Sequence, residues 1–238
     1  DTFADRVAEV IDKTVNVDRL LELCTVEFSG EQTQDVVCFG NRKIAIARDE
    51  AFNFMYRENV EALKRAGEVV FFSPLRDKSL PEADMVYFPG GYPELHLAEL
   101  AANEGMRQSV RKYCENGGRV LAECGGMMYL CDTITDGDGK VYPMAGVLKQ
   151  GGTMEQMKLK LGYREVRVNG QRIRGHEFHY SRILPTNEKI PVIGTIYNAK
   201  DMVVDTPVYT YKNVLASYIH FYWGECGIDH FLMLMSQK

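Results

Sequence analysis

The sequence lacks a long apolar run. No stretch approaches the ~18 consecutive apolar residues that a membrane-crossing helix needs. A secretory leader, with its basic start and short apolar block, is also missing from the beginning. Positive charge is not in excess: 28 Lys and Arg stand against 33 Asp and Glu, a net charge of −5. Neither nucleic acid nor an anionic membrane is therefore expected as a partner. Cysteine is sparse and unpaired in pattern. The six, at 24, 38, 114, 124, 131 and 226, form no CxxC and no even ladder. That excludes a disulfide frame or a zinc site and reads as reduced thiols in a cytoplasmic protein. A Gly-x-x-x-x-Gly-Lys-Ser/Thr phosphate loop is absent, since Gly139-Lys140 meets Ile134 where the first glycine should stand. Internal repeats and low-complexity tracts are missing too.

What remains is an ordinary globular composition, 45% hydrophobic and 26% charged in 238 residues. Residues 1–24 read as helical with one polar face, with Asn16 or Asp18 capping the second piece, and 25–41 as a polar linker. A chain starting at Asp with an early linker suggests that residues 1–41 close a preceding domain and that 42–238 form the main one. From there strands and helices alternate: strands at 43–48, 68–73, 83–88 and 120–122, helices at 54–66, 94–103 and 106–116. This is an α/β pattern, implying a parallel sheet covered on both faces. Period-two stretches at 162–168, 192–197, 208–211 and 214–219 predict antiparallel additions to that sheet. Residues 133–160 give few signals and read as loop plus a short element.

One stretch organises the chemistry. Val120 to Ala122 form a strand, Met127 to Leu130 begin a helix, and Glu123-Cys124-Gly125-Gly126 lie between. Such a turn presents its side chain at the C-terminal edge of the sheet, as in a nucleophile elbow. The helix start should lower the thiol pKa and hold an oxyanion. Cys124 is therefore the candidate nucleophile, against the reading of a buried structural cysteine. Phe88-Pro-Gly-Gly-Tyr-Pro-Glu-Leu-His96 ends another strand, and Gly90 and Gly91 could free N–H groups for a ligand, or simply turn the chain. Strand 214–219 delivers His220, the candidate base. Arg174 to Ser181 gathers His176, Glu177, His179 and Tyr180; His-x-x-His without a third ligand is a weak metal signal, and substrate contact or local hydrogen bonding is the better expectation. Glu94 and His96 read equally as solvated helix-start residues.

Together, Pro-Gly-Gly-Tyr-Pro-Glu-Leu-His (89–96), Ala-Glu-Cys-Gly-Gly-Met-Met-Tyr-Leu (122–130), Arg-Gly-His-Glu-Phe-His-Tyr-Ser (174–181) and Ala-Ser-Tyr-Ile-His (216–220) resemble the C-terminal glutaminase domain of the cobyrinate a,c-diamide synthase family. These belong to the cobalamin-pathway branch of the class I glutamine amidotransferases. Residues 47–56 match as well, and the resemblance runs from about 42 to about 222. Residues 1–24 resemble the end of the family's ATP-dependent synthase domain.

The resemblance implies a flavodoxin-like three-layer sandwich with a mostly parallel sheet. It implies that Cys124 attacks the amide of glutamine, that N–H groups near Gly90, Gly91 and Gly125 hold the oxyanion, and that His220 shuttles the proton. Ammonia would then pass to the synthase domain, where ATP and magnesium serve amidation of the a and c carboxylates of the corrinoid. No cofactor or metal is expected in this chain itself. The usual acid two residues after the histidine is replaced by Tyr222, so Glu94 and Glu177 become the acids to examine, with His179 and Tyr180 as further contacts. The tail after 223 follows the family loosely. Two other readings stand: the same domain of a nickel-sirohydrochlorin a,c-diamide synthase, or a non-catalytic docking module.

Overall fold

The computed structural model describes residues 2–26, 42–186 and 189–224. The chain divides into two compact units, Asp1–Asp35 and Val36–Lys238. In the first, α1 (Phe3–Thr14) starts at a capping box: the Thr2 hydroxyl accepts the Asp5 N–H and the Asp5 carboxylate accepts the Thr2 N–H. In α2 (Val17–Cys24), Asn16 Oδ1 accepts the Arg19 N–H, so Asn16 is the cap. Both helices are amphipathic, yet Phe3, Val10, Leu20 and Leu21 are exposed. Most of the expected linker lies outside the described residues.

The second unit opens with β1 (Arg42–Ala47), α3 (Arg57–Ala66), β2 (Gly67–Phe72) and β3 (Met85–Phe88). A 3-10 turn at Pro93–Leu95 leads to α4 (Leu97–Ala102), α5 (Glu104–Glu115), β4 (Arg119–Glu123) and α6 (Gly125–Leu130). The helix expected from residue 54 starts at Arg57, because the Phe54 N–H is given to the Gly90 carbonyl at 3.0 Å and pins that segment to the Gly-Gly loop. Then come β5 (Cys131–Thr135), β6 (Val141–Pro143), β7 (Leu148–Thr153), β8 (Lys160–Val168), β9 (Gln171–His179), β10 (Arg182–Ile183), β11 (Thr195–Asn198), β12 (Val208–Tyr211), β13 (Val214–Ser217) and β14 (Ile219–Phe221).

The main sheet runs β12-β13-β4-β3-β1-β2, all parallel except β12. Among the described residues, only β12 is an antiparallel addition to it. The other late strands form two separate four-stranded sheets, β10-β7-β5-β6 and β11-β8-β9-β14, which corrects the expectation of a single extended sheet. The segment read as loop holds β5 to β7, hidden because Gly151-Gly152 interrupts β7 and the strands are too short to show a period. The strand expected at 214–219 breaks at Tyr218, letting the chain leave the main sheet and pair with β9.

Alternation along the parallel strands sorts the core into two faces. Ala45, Ala47, Val86, Phe88, Val120 and Ala122 face Leu100, Met106 and Val110 of α4 and α5, together with α6. Ile44, Ile46, Met85, Tyr87 and Leu121 face Leu63 of α3 and Ile173, Ile219 and Phe221 of the second small sheet. The chain therefore has a layer on each side of one central sheet, and the C-terminal strand ends are left as the natural place for a site.

Two buried polar anchors hold β14, which carries His220, and its partner strand β9. Asn59 of α3 donates to the Phe221 carbonyl at 2.7 Å and accepts the Trp223 N–H at 2.9 Å. On β9, Glu177 is fully buried and accepts from Arg164 Nε at 2.7 Å, from Thr206 at 2.9 Å and from His179 Nε2 at 2.8 Å. Burial alone would raise its pKa; these partners and Lys160 instead hold it down at about 2.

Asn59→Ala removes both ties of α3 and should lower stability by about 2–4 kcal/mol, read from urea unfolding. The Glu177 carboxylate is more acidic folded than unfolded, where it sits near 4.5. Its contribution, about 3 kcal/mol, is thus complete above pH ~4.5 and lost as the pH falls towards ~2. Glu177→Gln should remove that part of the acid slope and destabilise at neutral pH by about 3–5 kcal/mol, since Arg164 then lacks its counter-charge.

Candidate active site

At the end of β4 the chain turns on Cys124, with φ 47° and ψ −105°. A non-glycine residue in this region costs about 1–3 kcal/mol and must be held by its surroundings. Here its N–H is given to the Ser217 carbonyl at 2.7 Å and its carbonyl accepts the Met128 N–H at 3.0 Å. The two glycines that follow are required by close approach. A Cβ on Gly126 would lie 2.3 Å from the Phe88 carbonyl oxygen, and one on Gly125 would lie 2.7 Å from Pro93 Cδ. The Gly126 N–H bonds the Pro89 carbonyl at 3.1 Å, locking α6 against the end of β3.

The thiol is 6% exposed and lies 3.8 Å from the Phe178 carbonyl oxygen, to which it donates. Burial, and then the charge of Glu94, push its pKa up to about 12, against the hydrogen bond from the Gly125 N–H. The expected lowering by the helix start is outweighed: α6 has only six residues and desolvation dominates. At rest the group is a neutral thiol.

His220 sits on β14, 4% exposed. A Cβ on Gly90 would fall 2.2 Å from its Cε1, so Gly90 is glycine because the imidazole occupies that space. Among the described residues its buried Nδ1 has no hydrogen-bond partner. Burial, with smaller contributions from His176 and His179, brings its pKa down to about 3, so the ring is neutral. Strand order brings the two groups to one edge. Glu123 pairs with Ser217 across β4 and β13, and its carboxyl accepts the Phe221 N–H at 3.2 Å and the Tyr87 O–H at 2.7 Å. Burial raises Glu123 to about 8. The residue before the thiol thereby holds the peptide after the imidazole.

A narrow cleft over Cys124 is lined by Gly91, Tyr92 and Glu94 from one loop, Met128 of α6, and Phe178, His179, Tyr180 and Ser181 from β9 and the residues after it. Gly91 has φ 153°, and its carbonyl oxygen stands 3.2 Å from where a Cβ of Gly125 would project. Glu94 is half-buried, raised by burial, and acts on Cys124 rather than on His220. Glu177 is engaged with His179 and Arg164. His179 bonds the Ser181 carbonyl through Nδ1 at 2.7 Å and stacks on Tyr218 at 3.5 Å and 5°. Tyr180 is exposed at the rim. His176 bonds Tyr56 while its neighbours Glu177 and His179 bond each other, so these three do not converge on a metal. Sequence reading missed Glu123, Tyr56 and Phe54 as neighbours of the site; the family-like segment 47–56 was the signal for the last two.

Residues 43–226 match the family described as the CobB/CobQ-like glutamine amidotransferase domain. The cobyrinate a,c-diamide synthase of Salmonella typhimurium is 34% identical over 231 residues, covering 92% of this chain and 50% of that protein. The hydrogenobyrinate a,c-diamide synthase of Pseudomonas aeruginosa is 39% identical over 181 residues, covering 76% and 41%. The chain thus spans about half the length of these curated relatives or less. A crystal structure of a glutamine amidotransferase superimposes with a TM-score of 0.55 at 24% identity, over 82% of this chain and 99% of that one. PurLQS from Thermotoga maritima gives 0.52 at 16%, over 82% and 97%; at such identities the likeness is one of fold. The sequence match carries what the fold alone does not: the chain belongs to the CobB/CobQ-like glutamine amidotransferase domain family.

Proposed function

We propose that this chain is the glutaminase part of a cobyrinate a,c-diamide synthase. One observation supports it above the others. Cys124 stands at a positive-φ elbow at one strand end, while His220 packs against Gly90 at the neighbouring strand end. In the reaction, glutamine displaces the thiol from the Phe178 carbonyl. Sulfur attacks the carboxamide carbon as the thiol proton passes to His220. The N–H groups of Gly125 and of the Gly90-Gly91 loop stabilise the oxyanion. The C–N bond breaks, His220 returns the proton, and ammonia leaves. Water, deprotonated by His220, then cleaves the glutamyl thioester and releases glutamate.

On this reading ammonia serves a synthase portion of the longer protein, where ATP and magnesium activate the a and c carboxylates of a corrinoid. The relatives' names include both cobyrinate and hydrogenobyrinate enzymes; on this reading the synthase portion chooses the acceptor.

A glutamine-mimicking diazo-ketone should add once, at Cys124, and excess glutamine should block it, as read by mass spectrometry. Cys124→Ala should reduce glutamate release to background; release that persists in it overturns the proposal. Gly90→Ala places a methyl on the His220 ring and should lower kcat by about 100-fold, with a stability loss of about 1–3 kcal/mol from overpacking, read from urea unfolding.

A further inference from the structure

The residue at the usual acid position, Tyr222, leads to the base by another route. Its ring packs against Tyr56 at 5.5 Å and 87°. The Tyr56 hydroxyl meets His176 Nδ1 at 2.5 Å. Burial, then the neighbouring Glu123, keeps this phenol above its ordinary pKa, so it retains its proton and donates it. Burial also lowers the pKa of His176, whose ring is therefore neutral; assigned from this hydrogen bond, its proton sits on Nε2. The His176 ring then lies on that of His220, with centroids 4.8 Å apart and planes 17° apart.

This stack is built into the sheet. His220 and His176 are direct cross-strand partners on β14 and β9, the arrangement in which facing side chains meet. Phe54 closes a second side, edge-on at 4.6 Å and 65°, and Gly90 closes a third. Neither Glu94 nor Glu177 is placed to orient the ring, and its Nδ1 is unpartnered among the described residues. The plane of the imidazole is set by ring faces and a glycine.

We infer that His176, itself fixed by Tyr56, is a positioning residue for His220, and that a stacked imidazole stands where a triad would place a carboxylate. The inference rests on His220 being the base of the proposed glutaminase. His176 touches neither glutamine nor sulfur in this account. It acts only by holding the ring at the angle that proton transfer needs.

The test is steady-state hydrolysis of glutamine by the chain and its His176→Ala, His176→Phe and Tyr56→Phe variants, with Cys124→Ala as the blank. His176→Ala should lower kcat by about 10–100-fold and leave KM for glutamine within about threefold, as misorientation of a proton-transfer group does. His176→Phe keeps a flat ring and should recover to within about fivefold of the parent; Tyr56→Phe, which keeps the stack but loses the tether, should fall between them. A His176→Ala kcat within twofold of the parent overturns the inference, as does a His176→Phe variant as slow as His176→Ala. Should His176→Ala melt below the assay temperature, Tyr56→Phe decides, and a kcat within twofold of the parent overturns the inference. A parent that hydrolyses no more glutamine than the Cys124→Ala blank refutes the glutaminase reading, and the inference falls with it.

Discussion

The site depends on how closely three backbone segments approach one another at one end of the parallel sheet. The end of β3 presses on α6 so tightly that Gly126 has no room for a methyl. The loop that follows presses on His220 at Gly90. The third segment, the end of β13, supplies the Ser217 carbonyl that takes the Cys124 N–H. A side chain at Gly126 or Gly90 would push these segments apart and, on the proposed function, separate nucleophile from base. The positive φ of Cys124 is tolerated because hydrogen bonds on both sides of the residue leave it no alternative.

Desolvation then decides the charge state. Burial raises Cys124 and Glu123 and lowers His220, so all three are neutral at pH 7. Glu177 behaves in the opposite way, because Arg164, Lys160, Thr206 and His179 surround it. Two buried glutamates, on β4 and β9, thus take different forms. One has two hydrogen bonds and no cation; the other has cations and is held ionised. The second is a structural anchor for β9, the strand that also presents Phe178 and His176 to the site.

Much of this was legible in the residues. The strand–glycine–helix turn at Cys124, the Gly-Gly strand end and the delivery of His220 could be read because each is a local pattern at a strand terminus. The parallel half was readable through its regular alternation. The late strands were not, since β5 to β7 and β10 are short and glycine-broken, and nothing local says that β14 leaves one sheet for another at Tyr218. The role of Glu123 was equally hidden: it is set by a contact with Phe221, 98 positions away. The thiol's protonation was misjudged because a helix start is visible in sequence, whereas complete burial of the turn that precedes it is a tertiary property.

The thiol's contact with the Phe178 carbonyl has a consequence for the lifetime of the protein. Oxidants such as peroxide attack the thiolate, and a neutral, buried sulfur reacts slowly with them. A cysteine whose S–H is donated to a backbone oxygen is therefore protected while the cleft is empty. It becomes vulnerable only when a substrate displaces that contact, and then the substrate itself covers it. On the proposed function, the geometry that delays activation until glutamine arrives would also preserve the cysteine between turnovers.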